Sequence, residues 1–258
     1  MTEFVELLHS EWTKLRTVRS TYWSTLVAIV LGVGLSAAIS AANASSFHTF
    51  DASERVQFDP TALSTSGLFF AQLALGVIAV LSITAEFSTG MIRTTLCAVP
   101  QRNRVIAAKG VVVAAVTWVV GVATAFAAFF CGQAIFARKN LQVTLGDPGV
   151  ARAVIGAALY LVVLVLFAVG LGAIIRHTAG AITALVGLVF VLPAVSNAFP
   201  DRWQHDFARY LPANSGGALT TTYHNYTSLS PWIGFAVFCI WAAAALAVGG
   251  YLLRRRDV

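Results

Sequence analysis

Six stretches of this 258-residue chain contain no Asp, Glu, Lys or Arg over a length that can cross a lipid bilayer. They cover residues 21–42, 66–85, 110–137, 153–175, 178–200 and 231–253. Little more than Arg176 and His177 separates the fourth stretch from the fifth, which predicts a tight helical hairpin. A helix needs about 20 apolar residues to cross about 30 Å of hydrocarbon, and it satisfies its backbone polar groups internally. The stretches also lack the alternation typical of membrane β-strands. The sequence therefore predicts an all-α integral membrane protein with six transmembrane helices.

The composition indicates that most of the surface of the chain contacts lipid. Hydrophobic residues make up 58% of the chain and charged residues only 11%, whereas soluble domains carry about 25% charged residues. We expect residues 1–258 to form a single transmembrane domain. The net charge of +6 does not indicate nucleic acid as a partner, because no soluble fold with a base-reading basic patch accompanies it. We attribute this charge to topology and to contact with membrane lipids.

The positions of the basic residues predict the orientation of the chain. Six spans return the C-terminus to the side on which the N-terminus lies, and most of the 17 Lys and Arg residues then fall on that side. The pair Arg138 and Lys139 is a local exception. Because cytoplasmic segments carry the excess of Lys and Arg, we expect a multi-pass protein of the cell membrane with both termini in the cytoplasm.

The segment before the first span, residues 1–20, is predicted to form an amphipathic helix. Phe4, Leu8, Trp12 and Leu15 recur at spacings of four and three residues, which places them on one stripe of a helix. Such a helix either lies in the membrane interface with its apolar side among the headgroups or packs on the protein itself. The sequence leaves both alternatives open.

The segment between the second and third spans carries the most specific pattern of the chain. Glu86 ends an uncharged span, so its carboxylate is expected near the inner interface. Ser88 or Thr89 can cap a short helix that begins near Gly90, and Pro100 is expected to end it. The apolar side chains of this helix are Met91, Ile92, Leu96 and Val99. The helix fits either a groove on a cytoplasmic partner or a solvated connection between spans.

In its order of residues this segment resembles the loop after the second span of ABC-2 type ABC transporter permeases. The matching positions are Glu86, Phe87, Gly90, Met91, Ile92, Arg93, Leu96, Pro100, Arg102, Arg104 and Lys109. The resemblance extends to the six spans and to the N-terminal helix, which is an elbow helix in that family. It implies that the short helix is a cytoplasmic coupling helix that docks on a dimer of ATP-binding subunits. It also implies a second permease copy, or a related permease, as a partner.

The sequence contains no phosphate loop of the pattern GxxxxGK[ST], so we expect ATP to bind to a separate subunit. We predict no cofactor, no metal site and no catalytic residue, and we do not expect the chain to be an enzyme. Several His and Asp residues fall on the predicted outer side without the spacing of metal ligands. They are His48, His205, His224, Asp51, Asp59 and Asp206.

The span interiors are expected to hold no Asp, Glu, Lys or Arg, which argues against a proton-coupled pump. Gln72 and Gln133 either face a cavity or form hydrogen bonds between helices. The aromatic-rich residues 201–230 form either short helices that dip into the membrane or an interfacial belt. Four glycines are expected to allow close packing of helices, namely Gly32, Gly34, Gly170 and Gly172.

The resemblance predicts a permease subunit that exports a hydrophobic or amphipathic compound, lipid or peptide with ATP hydrolysed by another subunit. The alternative is a multi-pass membrane scaffold or sensor without transport activity, which would function without a nucleotide-binding subunit. If the chain is a permease, Glu86→Ala and Gly90→Pro are expected to uncouple ATP hydrolysis from transport while leaving membrane insertion intact.

Overall fold

The computed structural model of the chain describes residues 2–98, 101–196, 203, 206–223 and 229–255. These residues form helices and turns, and no strand occurs among them. The helices are α1 (Thr2–Thr17), α2 (Arg19–Ser46), α3 (Ala52–Val56), α4 (Pro60–Thr65), α5 (Leu68–Ser88), α6 (Met91–Ala98), α7 (Arg102–Ala137), α8 (Val150–Ile175), α9 (Thr178–Val186), α10 (Leu192–Ser196), α11 (Pro212–Gly217) and α12 (Pro231–Arg255). A π-helical turn (Gly187–Val191) joins α9 to α10, and 3₁₀ turns occupy Phe47–Thr49 and Ala208–Tyr210.

Six helical segments among the described residues are long and apolar enough to cross a membrane, which confirms the predicted all-α membrane protein. They are α2, α4 with α5, α7, α8, α9 with α10, and α12. Residues 197–200 of the predicted fifth span lie outside the described residues. Helix α7 has 36 residues and begins at Arg102, two turns before the predicted span. At 1.5 Å per residue it is about 54 Å long, so it extends well beyond the hydrocarbon layer.

Helix α8 is central to the bundle, in contact with α5, α7, α9 and α12. Glycines allow α8 and α12 to pack closely. A Cβ atom added to Gly170 would lie 2.7 Å from the backbone of α12, and one added to Gly249 would lie 2.7 Å from a side chain of α8. Gly32 and Gly172 are similarly confined, with a neighbouring atom within 2.6 Å of the Cβ position. Gly34 has nothing within 4 Å of that position among the described residues, so it makes no close helix contact within this part of the chain.

Helices α8 and α9 form the predicted tight hairpin. Arg176 adopts a left-handed conformation with φ of +59°, and the Nδ1 atom of His177 accepts a hydrogen bond from the N–H of Gly180 at 3.3 Å. Arg176 Nη2 also donates to the carbonyl of Leu252 at 3.1 Å. This bond places the hairpin beside the last turns of α12. We call this end, which also carries α1 and α6, the N-terminal end of the bundle.

The two glutamines singled out in the sequence both form hydrogen bonds between segments. Gln133 Nε2 donates to the Ser64 hydroxyl at 3.2 Å, and Gln133 Oε1 accepts from the N–H of Val143 at 2.8 Å. The Tyr160 hydroxyl donates to Gln72 Oε1 at 2.7 Å and so joins α8 to α5. Gln72 also lines a cavity, so both alternatives hold for this residue.

The segment after α10 inserts a short helix between the long ones. A Cβ on Gly216 of α11 would lie 2.5 Å from the ring of Phe238 and 2.7 Å from that of Tyr160. Phe238 is seven residues into α12, about 10 Å from its first residue. Trp241 Nε1 donates to the carbonyl of Tyr210 at 3.0 Å. The described part of this segment therefore dips between α8 and α12, as the first of the two predicted alternatives requires.

At the opposite end of the bundle, Asp59 joins α4 to the segment after α11. Its Oδ1 atom accepts from the N–H groups of Thr61 and Ala62 at 2.9 and 3.0 Å, and its Oδ2 atom accepts from those of Thr222 and Tyr223 at 2.8 and 3.2 Å. Burial disfavours the charged carboxylate, but these hydrogen bonds outweigh it and hold the pKa of Asp59 below its ordinary value of 3.8. Four donors therefore occupy this carboxylate. In the described part of the chain, no three His, Cys, Asp or Glu residues form a group that could bind a metal ion.

We expect Asp59→Asn to lower the free energy of unfolding by about 1.5–3 kcal/mol, the contribution of a hydrogen bond to a charged group. Because the pKa of Asp59 is lower in the folded state, its contribution is present above the ordinary value of 3.8 and is lost as the pH falls below it. The measurement is the unfolding temperature of the Asp59→Asn variant and of the unmodified protein between about pH 3 and pH 7. The two unfolding temperatures should converge only in acid.

Asp51→Asn is the matched control, because Asp51 caps only the five-residue α3, through a hydrogen bond from the N–H of Glu54. It should change the unfolding temperature much less. Equal losses in the two variants would contradict the bridging role of Asp59.

Candidate functional site

A glycine turns the chain from α5 into α6. Gly90 has φ of +70°, a conformation that glycine adopts without the steric cost of a Cβ. The hydroxyls of Ser88 and Thr89 donate to the carbonyl of Ala85 at 3.0 and 2.8 Å. They satisfy the last turn of α5, so the prediction that one of them caps α6 was wrong. Pro100, the predicted stop residue, lies outside the described residues.

Helix α6 has a buried face and an exposed face. Ile92 is only 2% exposed, and Leu96 packs against a small cluster of α1 and α7 side chains. Met91, in contrast, is 44% exposed. The exposed face of α6 consists of Met91, Arg93, Thr94 and Cys97. Of the four predicted apolar side chains, Ile92 and Leu96 therefore anchor the helix and Met91 faces outward, while Val99 lies outside the described residues.

Helix α1 packs on the first turns of α7. Leu7 is 5% exposed and belongs to one cluster with Val105 and Ala108 of α7. The most buried line of α1 contains Leu7 and Glu11, which is 2% exposed, whereas Trp12 of the predicted stripe is 46% exposed. The buried face thus follows the alternative of packing on protein. Trp12 remains available to the membrane interface, where tryptophan is common.

Two carboxylates and two ammonium groups meet where α1, α5 and α7 come together. Lys109 Nζ donates to Glu11 Oε2 at 2.5 Å and to Glu86 Oε1 at 3.0 Å. Lys14 Nζ donates to Glu11 Oε1 at 2.6 Å and to Glu86 Oε1 at 2.8 Å. The side chains of Lys109, Glu11 and Glu86 are 3–5% exposed, and that of Lys14 is 31% exposed. We call these four residues the buried quartet. It links three helices and carries no net charge.

Charge balance makes the burial of this quartet tolerable, since an unpaired buried charge costs several kcal/mol. Each carboxylate accepts from both ammonium groups. Burial disfavours the ammonium of Lys14, but its hydrogen bonds to Glu11 and Glu86 outweigh this effect and raise the pKa of Lys14 above its ordinary value of 10.5. Lys14 is therefore charged at neutral pH.

The sequence predicts Glu86 near the inner interface, but it does not predict the burial of its carboxylate against α1 and α7. Helical phase is the signal that the sequence analysis missed. Lys109 follows Val105 by four residues and precedes Val113 by four, and both valines are buried. Glu11 likewise follows the buried Leu7 by four residues. Residues spaced in this way share one face of a helix, so the charges lie on the packed face.

The remaining predicted residues lie around α6 and the end of α12. The guanidinium of Arg176 stacks over the ring of Phe87 at 5.1 Å, a cation–π contact. Arg102 Nη1 donates to the carbonyl of Leu253. Arg104 lies on the exposed side of α7. The N-terminal end therefore combines a buried charged centre with an exposed basic and apolar surface on α6.

Comparison with known families agrees with this architecture. A family model described as ABC-2 family transporter protein matches residues 7–194, which include α6 and the whole buried quartet. A comparison with curated proteins gives no match. The matched region and the membrane-crossing helices confirm the resemblance seen in the sequence. The chain therefore belongs to the ABC-2 family of transporter proteins and is a multi-pass membrane permease, the non-catalytic subunit that partners an ATP-binding subunit.

Proposed function

We propose that this permease exports a hydrophobic or amphipathic compound, lipid or peptide, and that a dimer of ATP-binding subunits docks on the exposed face of α6. The observation that carries this proposal is the two-faced arrangement of α6. Its outer face offers Met91 and Arg93 to a partner, while its inner face is held by Ile92 and Leu96. A helix with an apolar and a charged contact on one face suits recognition by a groove.

The buried quartet provides a route from α6 into the membrane. Glu86 lies five residues before the start of α6, and it is bonded to Lys14 of α1 and to Lys109 of α7. A displacement of α6 would therefore move the ends of α1, α5 and α7 together. ATP binding then acts through different contacts of α6 in two states of the permease, which is the requirement for coupling two sites.

The cavity that Gln72 lines is suited to an apolar or amphipathic cargo. It has a volume of about 440 Å³ and lies between α5, α8 and the π-helical turn after α9. Phe69, Tyr160 and Phe190 line it together with Gln72, and none of the described lining residues is charged. Pockets with apolar walls and a few polar groups are typical of small-molecule sites.

The proposal places both termini in the cytoplasm of a cell membrane protein, because the basic residues concentrate at the N-terminal end. A second copy of the chain, or a related permease, would supply the other half of the pathway.

Two variants suggested by the sequence are poor tests of docking. Glu86→Ala breaks the buried quartet, so it would change folding together with coupling. Gly90→Pro requires φ near −65° where the chain has +70°. An exposed residue of α6 provides a cleaner test.

We expect Arg93→Glu to reduce the amount of ATP-binding subunit recovered with the tagged permease by about tenfold or more, the effect of losing a central interface residue. The reason is that a charge is reversed in the middle of the docking surface. The measurement is co-purification from native membranes in mild detergent.

Arg16→Glu is the matched control, since it makes the same charge change at an exposed residue of α1. It should leave co-purification unchanged. If Arg93→Glu retains the ATP-binding subunit at the wild-type level, docking on the exposed face of α6 is wrong.

A further inference from the structure

The polar side chains of the Gln72 cavity lie deep in the membrane-crossing part of the bundle. Gln72 is the thirteenth of the 29 residues of its span, and Tyr160 is the eleventh of the 26 residues of α8. Gln72 is 2% exposed and Tyr160 is 9% exposed. An unpaired polar group is costly at this depth, because the hydrocarbon layer contains no water to satisfy it.

Tyr160 determines which way the amide of Gln72 points. The Tyr160 hydroxyl donates to Gln72 Oε1 at 2.7 Å and makes no other hydrogen bond with the described residues. A reversed amide would turn its N–H groups toward this hydroxyl, whose proton would then lose its acceptor at a cost in free energy. The buried hydroxyl therefore holds Oε1 toward itself and leaves Nε2 as the other branch of the amide.

The Nε2 atom of Gln72 is an unused donor in the cavity wall. It makes no hydrogen bond with any described residue. It also keeps accessible surface, unlike the buried side-chain atoms of the chain that have no partner. Because Gln72 lines the cavity, this donor is open to an occupant.

The neighbouring hydroxyls in the wall have already used their donors. The hydroxyls of Thr65, Ser66 and Thr220 each donate to a backbone carbonyl of their own segment, at 3.0, 2.7 and 2.8 Å. Gln72 differs from these three residues because both of its N–H groups are left for an occupant.

The chemistry of the walls selects the acceptor. A carboxylate or a phosphate could accept from Gln72, but none of the described lining residues carries a charge to balance it, and an unbalanced charge is expensive inside the membrane. A carbonyl oxygen accepts without a charge. Phe69 packs on Phe190 with 4.8 Å between ring centroids, and such aromatic walls suit an apolar molecule. Phe69 is 51% exposed, so the rim of the cavity lies at the surface of the bundle.

We propose that this cavity binds an uncharged apolar compound through a carbonyl oxygen, which accepts a hydrogen bond from Gln72 Nε2. Gln72 determines the specificity of the site, and Tyr160 is a positioning residue that acts through the amide. The inference rests on the proposed function, since it names the class of cargo as a lipophilic ketone or ester.

The test compares three ring compounds of the same shape, namely fluorenone, fluorene and carbazole. At the same position they carry a carbonyl, a methylene and an N–H group. Each competes, at equal concentration in the membrane, with benzophenone, which labels nearby C–H groups on irradiation. The full-length permease is labelled in lipid nanodiscs, and the labels are mapped by mass spectrometry. We expect labels around the cavity, and fluorenone should compete about tenfold better than the other two, the effect of one buried hydrogen bond.

Two variants examine the residues that carry the preference. Gln72→Met removes the donor and keeps the length of the side chain, so the three compounds should become equal competitors. Tyr160→Phe keeps the donor but releases the amide, so the preference for fluorenone over carbazole should fall. Thr65→Val is the control, because it removes a hydroxyl of the same wall that is already bonded to the carbonyl of Thr61. It should retain the preference. The unfolding temperature is measured for each variant.

Equal competition by fluorenone and fluorene in the unmodified permease overturns the inference, because water alone would then satisfy the donor. An unchanged preference in a folded Gln72→Met protein also overturns it, as does labelling confined to other parts of the chain. These results leave export itself open, since export is measured with the ATP-binding subunit present. Conversely, a permease that prefers fluorenone but exports no compound contradicts the proposed function and leaves the binding site intact.

Discussion

Replacing Lys109 with methionine is expected to lower the free energy of unfolding by about 3–5 kcal/mol, the effect of removing one partner from a buried ion pair. The variant leaves Glu11 and Glu86 with Lys14 as their only cation, so a net negative charge remains among side chains that are 3–5% exposed. Methionine has a similar length and no charge, and it keeps much of the packing of the lysine stem. The measurement is thermal unfolding in detergent, followed by tryptophan fluorescence.

A double variant separates charge imbalance from loss of packing. Glu11→Gln combined with Lys109→Met restores neutrality and retains the pair of Lys14 with Glu86 at 2.8 Å. We expect it to be more stable than the single Lys109→Met variant, because no uncompensated charge is left. Lys139→Met removes an exposed lysine just after the other end of α7, and it should change the free energy of unfolding little. Additive losses in the double variant would contradict the role assigned to charge balance.

Ile92→Ala is expected to detach α6 from the permease without preventing the ATP-binding subunit from docking. Truncation of a buried isoleucine costs about 2–5 kcal/mol, and even 2 kcal/mol corresponds to about a 30-fold change in an equilibrium constant. Helix α6 has only eight residues, and Ile92 and Leu96 hold its inner face. The attached state of α6 should therefore lose most of its population, while its exposed face is unchanged.

The measurement is the distance between spin labels on the exposed Cys97 of α6 and on Arg16→Cys of α1, with Cys131 and Cys239 replaced by serine. We expect a narrow distance distribution in the reference protein and a broad one with Ile92→Ala. Co-purification of the ATP-binding subunit should persist in both. Met91→Ala, on the exposed face, should give the opposite pattern of a narrow distribution and weaker co-purification. A narrow distribution with Ile92→Ala would contradict the anchoring role of this residue.

Much of this fold could be predicted from the sequence because the bilayer imposes one simple requirement on each span. Stretches without charge gave the positions of the spans, and the interruption at Arg176 and His177 gave the tight hairpin. The start of α7 could not be found in this way. Its first two turns carry charged residues and are stabilised by contact with α1, a tertiary effect that a search for apolar runs does not detect.

The candidate site was predictable in its location but not in its arrangement. The order of residues from Glu86 to Arg104 identified the segment that contains α6. Which side chains face inward depends on how α6 lies against α1 and α7, and so the inward positions of Ile92 and Leu96 were missed. The buried quartet was missed for a related reason, since the bonds from α1 to α5 and from α1 to α7 join residues 72 and 98 positions apart along the chain. The sequence predicts Glu86 at the end of a span, but not its ion pairs with Lys14 and Lys109.

The glycine contact between α8 and α12 limits how this permease can change shape. Gly170 and Gly249 carry no side chain where α8 and α12 approach each other most closely, so sliding one helix along the other by a residue would bring a bulkier side chain against the opposing helix. These two helices must therefore travel as a single rigid block. A conformational change of the permease then has to keep this pair of helices together.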